Sequence, residues 1–147
     1  MLSTIKPSIK RSIECWVLAE RLSLDAPVLL LQAEAKGECP AFWQPITGGI
    51  EPGETAEQAC RREIWEETGS VVETSALVRL EQTFDVPIDV RLTVQKTLFV
   101  AAAGSRQVQI SSEHTGWQWV PFCEAKEMLY WPSNQETFAA IKQFLQG

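Results

Sequence analysis

Residues 48–70 read GGIEPGETAEQACRREIWEETGS, and the reading of this stretch decides the fold expected for the rest of the chain. Pro52-Gly53 suits a type II turn, and Thr55 followed three residues later by Gln58 has the spacing of a capping box. Gly69 supplies the left-handed residue that ends a helix, so the punctuation predicts a helix over 56–68. With Glu63 at the origin of a helical wheel, Glu67 falls at about 40° and Glu66 at about −60°, so three carboxylates share one arc. The small residues Ala56, Ala59 and Cys60 overlie that arc, while Glu54, Gln58, Arg61 and Arg62 take the other face. The acids are therefore expected to face the protein.

Three glutamates crowded into a crevice repel one another, and burying each without compensation costs several kcal/mol. A divalent cation removes the difficulty. Magnesium is hard, prefers oxygen ligands and bridges a few carboxylates to substrate phosphates, which matches a site without His or Cys; manganese is the alternative. Six glutamates (51, 54, 57, 63, 66, 67) stand against two arginines in this segment, and the whole chain carries a net charge of −6. Such a balance argues against a general nucleic-acid binder. It favours a bound cation that turns an acidic surface into a receptor for pyrophosphate oxygens. Hydrolysis of a phosphoanhydride follows, a spare glutamate accepting a proton from water.

Outward from this segment, 147 residues with 45% hydrophobic and 22% charged side chains describe an ordinary globular chain, read as one unit over 1–147. Apolar runs stop at six residues where a bilayer span needs about 20, and MLSTIKPSIKRSIE lacks the apolar centre of a signal peptide. A cytoplasmic protein without membrane contact is expected. Cysteines 15, 39, 60 and 123 show no metal-binding spacing and are read as reduced thiols. Strands are expected at 13–19, 27–33, 77–84, 90–101 and 117–120, with a bend at 85–89, a turn-rich passage over 36–45 and a closing helix over 133–146. Elements of both kinds without strict alternation predict a mixed sheet flanked by helices, an α/β fold. Trp65 lies off the small apolar face and marks a candidate contact layer or homodimer surface.

Gly48, Glu54, Arg62, Glu63, Ile64, Glu66, Glu67 and Gly69 meet every fixed spacing of the Nudix box, so 48–70 resembles that motif. Ser70 departs, being polar where an aliphatic residue is expected; Val71 follows it. The resemblance implies an α/β/α sandwich and a Nudix pyrophosphohydrolase that cleaves a nucleoside diphosphate derivative or a nucleoside or pterin triphosphate with Mg²⁺ or Mn²⁺. It implies that Glu63, Glu66 and Glu67 bind metal or act as base, that Gly48 offers a backbone carbonyl and that Arg62 orients a catalytic glutamate. Glu54 would support the loop and helix. Glu113 resembles the extra metal ligand or base that some members take from a late loop, whereas His114 is either a turn residue or a phosphate contact. FWQPITGG (42–49), the Glu113-His114 pair and WPSNQ (131–135) are similar to dihydroneopterin-triphosphate pyrophosphatases and, more distantly, to diadenosine-polyphosphate hydrolases. That likeness places Trp43 and Gln44 at the substrate entrance. The alternative reading is a Nudix-like module that binds a nucleotide without cleaving it.

Overall fold

The structure, a computed structural model, describes residues 6–147; the start of the basic N-terminal stretch lies outside the described residues. Its elements run β1 (Ser8–Ala19), β2 (Val28–Ala33), β3 (Phe42–Gln44), β4 (Ile46–Gly49), α1 (Ala56–Thr68), β5 (Leu77–Asp89), β6 (Leu92–Ala103), β7 (His114–Val120), α2 (Phe122–Met128) and α3 (Pro132–Gln146). The seven strands form one mixed sheet in the order β3-β2-β1-β6-β5, with β4 joined to β1 and β7 to β2. β1 and β6 run parallel over twelve residue pairs; the other pairings are antiparallel.

Alternation along β1 sorts its side chains to two layers. Ile13, Cys15 and Val17 join Ala56, Ala59, Cys60 and Ile64 of α1 in one core. Trp16 and Leu18 join Phe122, Phe138 and Ile141 of α2 and α3 in the other. The result is the α/β/α sandwich expected. The small residues of α1 let that helix settle close to β1, where Cys15 and Cys60 are buried free thiols and burial pushes the Cys15 thiol up. Among the described residues, no helix is long and apolar enough to cross a membrane.

Three local expectations need correction. Residues 85–89 continue β5 instead of bending; the turn is at Val90-Arg91, where the Arg91 amide donates to Asp89 Oδ1 at 2.7 Å. Pro87 is accommodated because β5 is an edge strand, whose outward positions need no ladder donor. The passage over 36–49 contains β3 and β4, too short to show a period, and α2 was not anticipated because seven residues carry little periodicity.

Candidate active site

Helix α1 begins and ends as its sequence dictates. The Gln58 amide donates to Thr55 Oγ1 at 3.1 Å, and the Thr55 amide returns a bond to Gln58 Oε1 at 2.9 Å. Gly69 takes the left-handed conformation and its amide caps Trp65 O. Ahead of the helix, Gly53 has a φ of 81° and the Glu54 amide donates to Glu51 O, completing the turn. These caps fix the ends of α1, and its buried stripe of Ala56, Ala59, Cys60 and Ile64 sets which side meets the sheet.

Glu67 is drawn into the protein, only 4% exposed, and its Oε2 has no hydrogen-bond partner. Burial first, then the charges of Glu63, Glu113 and Glu66, push its carboxyl up to about 9. Glu63 is half-buried and also raised by burial, against the opposing pull of Arg62. Glu66 corrects the wheel: its side chain is 53% exposed, because it sits at the margin of the acidic arc and leans to Arg62 at 3.3 Å. The inward acids are thus Glu63 and Glu67, with Glu66 at the lip.

Arg62 is not confined to the far face. Its long side chain folds back so that Nε and Nη2 donate to both oxygens of Glu54 at 2.7 and 2.9 Å, Nη2 also reaches Gly49 O at 2.9 Å, and Nη1 holds Glu63 Oε1 at 2.7 Å. The guanidinium holds Glu54 down to about 2. It ties the glycine-bearing strand end, the turn and the helix into one unit. A Cβ on Gly48 would overlap the Glu63 carboxylate, so that position must be glycine for Glu63 to lie where it does.

Glu113 is exposed at the start of β7, and with Glu67 and His114 it lines a cavity of about 650 Å³. His114 is buried and its imidazole is pushed down by that burial. Its Nε2 stands 3.6 Å from Glu67 Oε1, beyond hydrogen-bond distance, and with a neutral ring the contact is not an ion pair. Gln44 lines this cavity and also a second one of about 260 Å³; Thr47 and Trp131 are likewise common to both. The two cavities therefore make one cleft. Trp43 instead packs against the α3-side core, and the aromatic walls of the acidic end are Phe42 and Trp131. Sequence reasoning left Trp131 inside a motif without a role. A larger cavity of about 890 Å³ lies beyond the end of α1, but its one charged side chain, Arg106, is paired with Glu20.

The donor set tests whether a cation fits. Glu67 offers an unpartnered buried oxygen, Glu63, Glu66 and Glu113 bring charge to bear on it, and the glycine at 48 leaves room beside Glu63. These are the hard oxygen donors that a magnesium-class ion takes. Among the described residues, no three acidic, thiol or imidazole side chains already converge on one point, in keeping with the hold of Arg62 on Glu63 and with Glu66 lying outward. The residues fit a cation that would gather them.

Comparison with known proteins identifies the family and the fold. The family profile described as NUDIX domain matches residues 10–141. The dihydroneopterin triphosphate diphosphatase of Escherichia coli is 31% identical over 130 residues, covering 80% of this chain and 82% of that protein. The solved E. coli dihydroneopterin triphosphate pyrophosphohydrolase superposes with a TM-score of 0.73 at 27% identity, over 97% of this chain and 98% of its own. A MutT protein from Methanosarcina mazei reaches a TM-score of 0.77 at 20% identity, over 99% and 100%, a likeness of fold.

Proposed function

The chain belongs to the NUDIX family and is a pyrophosphohydrolase of that family, and on this premise we propose that it hydrolyses a phosphoanhydride of a nucleoside or pterin polyphosphate with Mg²⁺. The observation that carries the reading is Glu67, a buried carboxyl with a free oxygen facing the cleft, on which the charges of Glu63, Glu113 and Glu66 bear. A cation among these acids would offset their repulsion of a polyphosphate. When bound there, a divalent ion supplies positive charge to the phosphoryl oxygens and makes water a better nucleophile.

In this reading Glu63, Glu66, Glu67 and Glu113, with the backbone of Gly48, would hold the ion, and one of the four acids would take a proton from water. Arg62 is a positioning residue: bonded to Glu54, Glu63 and Gly49 at once, it sets how far Glu63 can travel. The phosphate chain lies at the end that Glu67 and Glu113 line, and Gln44, Thr47 and Trp131 lead from there to the smaller cavity, where the organic group sits.

Phosphate or pyrophosphate release is to be measured across nucleoside triphosphates, dihydroneopterin triphosphate, dinucleoside polyphosphates and nucleotide sugars, with and without Mg²⁺. Turnover on one or more of these, dependent on Mg²⁺, is the expected result. Tight binding of one compound without cleavage of any would leave a binding module.

A further inference from the structure

The end of the cleft away from the acids holds a polar network that the hydrolytic step does not require. Glu14 is completely buried on the α3 side of β1, next to Trp16. Its Oε2 accepts from Trp16 Nε1 at 3.0 Å, and its Oε1 accepts from both Lys96 Nζ and Asn134 Nδ2 at 2.9 Å. A buried carboxylate is tolerable when so bonded. Apolar residues would fill the same space at less risk, so the network invites a reading beyond packing.

Lys96 and Asn134 both line the cavity of about 260 Å³, at whose edge Gly48 also lies. A carboxylate only accepts, so Asn134 must turn its NH₂ to Glu14 and its Oδ1 away. That oxygen accepts no hydrogen bond among the described residues, and it is not a buried orphan. Lys96 keeps further N–H donors beyond the one given to Glu14. Since both groups rest on the same Glu14 oxygen, an acceptor and a donor are held side by side. The ion pair with Glu14 offsets the charge of Lys96, so beside Asn134 this lining is locally neutral although Lys10 also reaches it. It is suited to a neutral ring that Trp131, common to both cavities, flanks.

A ring edge with N–H beside C=O matches that pair: the N–H donates to Asn134 Oδ1 and the carbonyl accepts from Lys96. This is the lactam edge of a 6-oxopurine, a 4-oxopteridine or a 4-oxopyrimidine. Adenine and cytosine present the reverse order, a bare ring nitrogen beside NH₂. We propose that Glu14 is a positioning residue which, by fixing Asn134 and Lys96, makes this cleft select substrates with a lactam-edged ring. The proposal deepens the reading of the cleft as a substrate site and rests on it.

The test compares kcat and KM, with Mg²⁺, for GTP against ATP and UTP against CTP in the wild type, Glu14→Gln, Asn134→Ala and the double variant. The wild type is expected to favour GTP and UTP by about tenfold or more in kcat/KM, as when a wrong partner leaves site groups unpaired. In Glu14→Gln the Asn134 amide is free to turn over, so the preference should fall toward unity through a higher KM for the lactam substrate, with kcat within about threefold. Asn134→Ala should lose it equally, and the double variant should lose nothing more, the signature of residues acting as one unit. Should Glu14→Gln fail to fold, Asn134→Ala alone carries the test. Quenching of tryptophan fluorescence by guanosine and adenosine, without metal, reads the same preference independently of turnover. Guanosine preference in a protein that cleaves nothing would count against hydrolysis and for the ring reading. Equal or adenine-favouring behaviour of the wild type, or a uniform fall in kcat on both substrates in Glu14→Gln, would overturn it.

Discussion

Two buried glutamates lie on opposite faces of the same sheet and differ in what they touch. Glu14, toward α3, has both oxygens engaged by three donors; Glu67, toward the acidic end of the cleft, has an oxygen engaged by none. Burial alone therefore does not say what a carboxylate is for. A saturated one fixes its neighbours in place, whereas an unsaturated one in a cleft is held ready for something that arrives.

The largest expected consequence is kinetic. Glu67→Gln keeps the shape and removes the charge, so turnover should fall by about 100-fold or more while the fold persists, measured as Mg²⁺-dependent phosphate release alongside circular dichroism. Glu14→Gln should leave kcat nearly intact. If the two variants behaved alike, the contrast would be broken.

Stability should move the other way. Glu14→Ala leaves the ammonium of Lys96 and the amide of Asn134 facing an empty site, a loss of about 3–5 kcal/mol in chemical denaturation. Glu67→Gln in chelator should raise the melting temperature near neutral pH, because it removes a carboxyl that the folded protein must keep protonated while the unfolded chain ionises it.

The pH dependence sharpens the same contrast. The Glu67 carboxyl is raised from its ordinary 4.5 to about 9 by burial, so the folded protein holds a proton that the unfolded chain gives up. Its stabilising contribution is complete below about 4.5 and is lost as pH rises toward about 9. In chelator, the melting temperature of the wild type should therefore decline across that window more steeply than that of Glu67→Gln. Glu54 acts at the opposite end: held down to about 2 chiefly by Arg62, its contribution is present above 4.5 and is lost only as pH falls toward about 2.

A smaller effect is expected at Gly48. Its missing Cβ makes room for Glu63, so Gly48→Ala should displace that carboxylate and weaken Mg²⁺ activation by about tenfold, the scale seen when groups around a metal are disturbed, read as a higher Mg²⁺ concentration at half-maximal rate.

The side of the molecule that carries Glu67 was legible from the chain because its information is local. Thr55, Gln58 and Gly69 mark the ends of α1 within a few residues of the positions they cap, and a helical wheel then turns Glu63 and Glu67 inward. The wheel erred at Glu66 and Arg62 because it orders Cα positions, whereas a long side chain near the margin goes to its best partner. The Glu14 network was invisible for a different reason. Two of its three partners stand 82 and 120 residues away, and only the parallel pairing of β1 with β6 and the docking of α3 bring them together. The run 85–89 was misread because Pro87 breaks a central strand but not an edge one.

Calorimetric titration of the metal-free protein with Mg²⁺, near neutral pH and in two buffers of different ionisation enthalpy, tests the role of Glu67 most directly. With its carboxyl raised to about 9, Glu67 enters the titration protonated and must release that proton to take a cation. The wild type should release about one proton per ion bound, and Glu67→Gln should bind more weakly and release none. Equal affinity and equal proton release in the two proteins would contradict the account.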